Sequence, residues 1–140
     1  TDGVSGHLAD AVAGADVLIG VSAAGAFSEA HIQSMTERPV VFALANPVPE
    51  IMPDIAKAAG AYIVATGRSD FENQINNVLA FPGIFRGAID NRVVQITDTM
   101  LVSAARALAA CVEGPDTVTI LPSPFDATVV VAVASAIVEK

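Results

Sequence analysis

Side-chain amides are the most conspicuous chemistry-bearing groups in this 140-residue sequence. Asn73, Gln74, Asn76 and Asn77 stand together, flanked by Phe71 and Phe81. An amide offers both a donor and an acceptor, and burying one without partners costs about 1–3 kcal/mol. The cluster is therefore expected to be solvated, to cap a helix or to hold a ligand, and not to fill a core. Asn76 and Asn77, just ahead of an apolar stretch, also suit N-capping. Asn46 is a further candidate, because Pro47 and Pro49 stiffen the backbone around it. It could orient a carboxylate or a carboxamide, or form an Asx turn before proline. In Gly20-Val21-Ser22-Ala23-Ala24-Gly25 the small residues permit close backbone approach, with Ser22 as a hydroxyl donor. That segment is neither the Gly-x-Ser-x-Gly elbow nor the Gly-x-Gly-x-x-Gly fingerprint, and the fingerprint occurs nowhere in the chain.

The remaining reactive types are sparse. Glu50, Asp54, Asp70 and Glu72 lack any paired ligand spacing, and His7 and His31 are separated by a strand-like run and read as surface residues. No metal ligand or catalytic residue is assigned within the chain. Lys57 lies on an amphipathic helical stretch and is expected in solvent, whereas Tyr62, the single tyrosine, falls in a run read as a buried strand. The lone Cys111 excludes an internal disulfide and a cysteine zinc site. It is expected to be a buried, inert thiol, with a cytoplasmic location as the corollary.

Two hydrophobic periods alternate along the chain and must position these groups. Apolar runs of strand length cover 17–21, 39–45 and 62–65. Helical spacing covers 8–13, a segment capped by Ser28 through about Met35, and 54–59 with Pro53 in the first turn and Gly60 closing it. These elements read as βαβαβ with right-handed crossovers, a parallel sheet buried on both faces. Further helices are expected over 81–88 and 98–111, the second capped by Thr97 or Asp98, and from an Asp126 cap to Lys140, despite the β-branched Val129-Val130-Val131. Residues 118–121 read as extended. In an open parallel sheet ligands sit at the carboxyl ends of the strands, which is where the segments 20–25, 45–50 and 66–77 fall.

Composition bounds the rest. Ala and Val supply 26 and 19 residues and aromatics only 5%, so the core is made of small side chains, and the length allows one core at most. Charged residues make up 16%, below the roughly 25% usual in soluble domains, and mean hydropathy is +0.57. No apolar run reaches the roughly 18 residues of a membrane span, and no secretory signal is visible. A chain opening on Thr1 rather than Met is expected to be processed or to start inside a longer protein. The net charge of −8 with scattered bases argues against a nucleic-acid surface. Arg86, Arg92 and Arg106 could still form a local anion site, although single arginines on helices are mostly solvated or salt-bridged.

Four motifs carry a family resemblance. Phe42-Ala43-Leu44-Ala45-Asn46-Pro47, Ala65-Thr66-Gly67-Arg68-Ser69-Asp70-Phe71, Asn76-Asn77-Val78-Leu79-Ala80-Phe81-Pro82-Gly83 and Leu121-Pro122-Ser123-Pro124-Phe125-Asp126 resemble, in order and spacing, the C-terminal region of malic enzymes, above all the compact bacterial type. The likeness spans nearly the whole chain and is weakest over 1–6. It implies an α/β fold, a partial Rossmann-like doubly wound parallel sheet of about three strands with C-terminal helices from about residue 81. The activity it implies is oxidative decarboxylation of malate to pyruvate and CO2, with NAD or NADP and with Mg2+ or Mn2+. By the same resemblance Val21 and Ser22 line the dinucleotide path. Asn46 contacts malate or the nicotinamide side, Asn76 holds substrate, and Asn77 lies beside both ligands. Neutral amides orient a carboxylate and a carboxamide without competing with a metal for charge.

The family's general-base lysine, acid tyrosine, metal-binding carboxylates and phosphate-binding glycines lie in segments preceding the part that this chain resembles. The expected partners are malate and pyruvate, the remainder of a malic enzyme polypeptide, and other copies in a homo-oligomer, with neither nucleic acid nor membrane. A contrasting expectation is a truncated relative that has lost catalysis and serves as a ligand-binding or assembly module. The presence of Asn46, Asn76 and Asn77, which a structural remnant has no physical need of, favours the enzyme.

Overall fold

Three short strands, β1 (Val17–Gly20), β2 (Val40–Ala43) and β3 (Ile63–Thr66), form a parallel sheet in the order β1-β2-β3 in the computed structural model, which describes residues 5–139. β1 and β2 are shorter than their apolar runs of 17–21 and 39–45, and β3 is shifted one residue along from 62–65. Helices α1 (Leu8–Val12), α2 (Glu29–Gln33) and α3 (Pro53–Ala58) alternate with the strands. Local chemistry sets their ends. The Ser28 hydroxyl accepts from the His31 amide at 3.4 Å, while His31 Nδ1 accepts from the Ser28 amide at 3.1 Å, a reciprocal cap. Pro53 occupies the first turn of α3, and Gly60 follows its end at φ +110°, a conformation open to glycine.

Val12, Leu18, Ile32, Val41, Ala43, Ala56 and Val64 join in one hydrophobic cluster, so the helices cover the face that carries Leu18, Val41 and Val64. The opposite face differs from the expectation of burial on both sides. Val17 and Ile19 are 51% and 58% exposed, and β1 and β2 alternate between the two faces. Continuous apolar composition marks a strand made for two covered faces, and here the β1 side of the second face is open to solvent while Ala65 on β3 is buried. Tyr62 also departs from its expected place. It precedes β3, is exposed, and lies under the Arg38 guanidinium at 3.8 Å, where its ring can meet the cation while the hydroxyl stays in water.

The chain divides between Ile75 and Asn76 into two compact units, each with its own hydrophobic cluster rather than the single core expected from length. The second unit has a single 3-10 turn (Asn77–Leu79), then α4 (Phe81–Asp90), α5 (Asp98–Ala109) and α6 (Ala127–Ser135) around Ile84, Met100, Ala104, Val129, Val133 and Ile137. Gly83 and Gly87 let α4 approach α6 closely. A Cβ on Gly87 would stand 2.3 Å from the Ala134 carbonyl, and one on Gly83 would stand 2.6 Å from Val133 Cβ. Asn91 Nδ2 then donates to the carbonyls of Gly87 at 3.1 Å and Ile137 at 2.9 Å. Residues 118–121 form no strand, and α6 ends at Ser135 with Lys140 outside the described residues. Its β-branched run is helical because Val129 and Val133 are buried on one stripe and Asp126 Oδ1 accepts from the Thr128 amide. The Cys111 thiol is half-buried and donates to the Ala107 carbonyl at 3.3 Å. Among the described residues no helix is long and apolar enough to cross a membrane.

Candidate functional site

Register brings three strand ends together. Gly20, Ala43 and Thr66 pair side by side, so the segments after them leave the sheet at one edge. A loop leaving a strand carries backbone N–H groups that the ladder no longer satisfies, and here a carboxylate collects them. Glu50 is fully buried, 0% exposed. Its Oε1 accepts from the Ser22 amide at 2.7 Å and the Ser22 hydroxyl at 3.0 Å, while Oε2 accepts from the Ala45 amide at 2.9 Å. Burial pushes this carboxyl up, but donation from the amides of Ser22 and Ala45 and from the Ser22 hydroxyl outweighs it and holds the pKa below the ordinary carboxylate value. Glu50 is thus an anion at neutral pH, held entirely by donors.

Backbone bonds reinforce the same seam, from the Phe27 amide to the Glu50 carbonyl at 3.1 Å and from the Gly25 amide to the Pro49 carbonyl at 3.4 Å. Gly20 makes room for the clamp, since a Cβ there would stand 2.6 Å from Glu50 Cδ and Oε1. The close approach that Gly20 permits is therefore to a side chain of this chain, not to a ligand. Arg68 ties the third loop to the second. It donates to the Pro47 carbonyl at 3.5 Å and grips Asp70 through Nε at 2.8 Å and Nη2 at 2.6 Å. The Arg68 hydrogen bond lowers the Asp70 pKa, although both side chains are too exposed for the pair to add much stability.

The candidate residues occupy distinct environments on this frame. Val21, 81% exposed, and Ser22 begin the loop after β1. Asn46 directly follows the clamped Ala45, is exposed, and precedes a cis peptide to Pro47. Its amide makes no hydrogen bond among the described residues, so donor and acceptor both face solvent. Asn76 and Asn77 open the second unit. Asn76 Oδ1 accepts from the Val78 amide at 3.1 Å, capping the 3-10 turn, and Asn77 is exposed. The amide cluster is not uniformly solvated or ligand-facing, however. Asn73 is only 7% exposed at φ +55°, and its Nδ2 donates to the Val64 carbonyl at 3.0 Å. It is a core amide, tolerated because β3 supplies its partner. Gln74 continues the pairing at the end of β3, its Nε2 donating to the Gly67 carbonyl at 3.4 Å.

The arrangement suits some groups and not others. A solvent-facing amide complements a carboxamide or a carboxylate. No buried negative charge reaches that surface, because donors enclose Glu50. A divalent cation is not matched. Glu50 is committed to Ser22 and Ala45, Asp70 to Arg68, and Glu72 to Lys57 Nζ at 2.5 Å, and no group of three His, Cys, Asp or Glu side chains gathers among the described residues.

Comparison with known proteins places these features in a family context. The model of the malic enzyme NAD-binding domain matches residues 5–140. The chain is 51% identical over 138 residues to the bifunctional malic/malolactic enzyme of Bacillus subtilis, covering 97% of this chain and 34% of that protein. It is 49% identical over 140 residues to the NAD-dependent malic enzyme of Geobacillus stearothermophilus, covering 99% and 29%. The crystal structure of the NAD-dependent malic enzyme of Thermotoga maritima superimposes with a TM-score of 0.93 at 50% identity, covering 97% of this chain and 36% of that one. The chain thus spans about a third of the length of the curated relatives it matches.

Proposed function

The chain belongs to the malic enzyme NAD-binding domain family, and from that premise we propose that it forms the nicotinamide-side part of a dinucleotide fold, terminal helices included, in an enzyme converting malate to pyruvate and CO2. The observation that carries this reading is Asn46. Its amide faces solvent at the carboxyl edge of a parallel sheet, on a loop that a buried carboxylate and Arg68 hold from two sides.

In this reading Val21, Ser22, Asn46 and Asn77 would hold NAD or NADP, which would supply a hydride acceptor for the oxidation at C2 of malate. The chain's own part is binding and orientation. Asn46 presents its donor to a carboxylate or carbonyl oxygen and its acceptor to a carboxamide N–H, and Val21 and Ser22 line the cofactor's path. Asn77 lies beside both ligands, and Asn76 holds substrate with its Nδ2 while Oδ1 keeps the capping bond to Val78. Such alignment acts by pre-setting the reacting geometry, a source of large rate factors. Proton transfer and the Mg2+ or Mn2+ site are assigned to segments other than this chain.

The test is malate-dependent reduction of NAD or NADP in the presence of Mn2+, measured on the full reading frame that encodes this chain and on the isolated 140 residues. Turnover is expected from the first and none from the second. Turnover by the isolated chain that disappears in Asn76→Ala would overturn the assignment of base and acid to other segments. A full-length polypeptide inert toward malate that still binds a nicotinamide dinucleotide would favour a ligand-binding module.

A further inference from the structure

We infer that Glu50 is the positioning residue of the strand-edge site: its buried carboxylate ties the loop after β1 to the loop after β2 and thereby fixes the Asn46 amide. The inference deepens the functional reading and rests on it. A fully buried carboxylate is costly unless every lone pair is used. Glu50 uses both oxygens, one on the amide and hydroxyl of Ser22 and the other on the amide of Ala45, the residue before Asn46. It is shielded from any ligand, so it acts through Asn46 and the Ser22 turn.

Only an acceptor at both oxygens serves. In Glu50→Gln the size is kept but an NH2 group must face either the Ser22 amide or the Ala45 amide, two donors against each other, and one arm of the clamp opens. The backbone bonds Phe27 to Glu50 and Gly25 to Pro49 do not depend on the side chain. Damage is therefore confined to residues 21–22 and 45–46 and leaves the strands paired. Gly20 gives a second handle, since a Cβ there meets Glu50 Cδ, Glu50 Oε1 and the buried Phe27 Cζ, each at 2.6 Å, and displaces the carboxylate and the ring together while leaving the charge in place.

The experiment compares Glu50→Gln, Asn46→Ala and the double variant in the full-length polypeptide. It combines steady-state kinetics with malate, dinucleotide and Mn2+ and backbone hydrogen exchange of peptides covering 17–28 and 40–50. Glu50→Gln is expected to lower kcat by about 10- to 100-fold and to raise the dinucleotide KM with it, because the two loops it loosens carry Ser22 and Asn46. The double variant is expected to lose less than the product of the two single losses, since part of the Glu50 effect passes through the Asn46 side chain. Exchange rises in both loops together and stays unchanged over β1 and β2. A purely structural role instead gives wild-type kcat in the folded fraction, or losses that multiply in the double variant, and either result overturns the inference. Where Glu50→Gln does not accumulate folded, Gly20→Ala takes its place, with the same kinetic signature expected and wild-type kcat overturning. A wild-type polypeptide without malate turnover defeats the functional reading alone. The clamp is then decided by exchange, supported if both loops loosen and overturned if neither does.

Discussion

Glu50 makes the stability of the first unit depend on pH. Its carboxyl titrates below its ordinary value of 4.5 in the folded chain, so it adds stability that is fully present above about pH 4.5 and is lost as pH falls through the lower folded value. Glu50→Gln is expected to cost about 1–3 kcal/mol at pH 7, the penalty of a buried donor left unpaired. Urea unfolding at pH 7 and again near pH 3.5 checks this. The gap between variant and wild type should narrow in acid, and a gap independent of pH would contradict the clamp. In the sequence Glu50 looked like one more acid without a metal-ligand partner. The signal that could have found it is Gly20 at a strand end, where a missing side chain marks a close approach, followed later by an acid just behind a stiff Pro-Val-Pro turn. Asn73 was misplaced for a related reason, because its partner, the Val64 carbonyl, is created only by the fold. Asn46 was legible because the chemistry of its neighbours, two prolines after an apolar run, is local.

Between elements, the tightest contact is that of α4 with α6 in the second unit, and it depends on two glycines one helical turn apart. Gly87→Ala is expected to destabilise that unit by about 1–3 kcal/mol, the usual cost of overpacking. The clash is with the Ala134 carbonyl, which cannot rotate away as a flexible side chain would. Thermal unfolding should show the loss, and a wild-type melting temperature would mean that α6 slides freely over α4. The helices were largely readable from caps and period, since Ser28, Thr97 and Asp126 all cap as their side chains dictate. Less was legible where tertiary packing decides. The β-branched start of α6 is helical through the burial of Val129 and Val133, and the extended residues 118–121 find no strand to join. Neither outcome follows from local preference.

For the whole molecule, the low charge and high hydropathy have a structural counterpart. The sheet covers one face with α1–α3 and leaves Val17 and Ile19 more than half exposed on the other. Apolar β-strand surface of this kind associates, so the isolated 140-residue chain is expected to self-associate, with sedimentation velocity showing species larger than a monomer. A well-folded monomer at all concentrations would contradict that expectation. What the fold offers to chemistry is a carboxyl edge of three in-register strands, with neutral hydrogen-bonding groups displayed above a clamped anion. The measurement that bears most directly on this account is malate-dependent dinucleotide reduction by the full-length polypeptide carrying Asn46→Ala. The kcat/KM for malate is predicted to fall by about 100-fold with the protein still folded, and an unchanged kcat/KM would show that the strand edge does not hold the reacting groups.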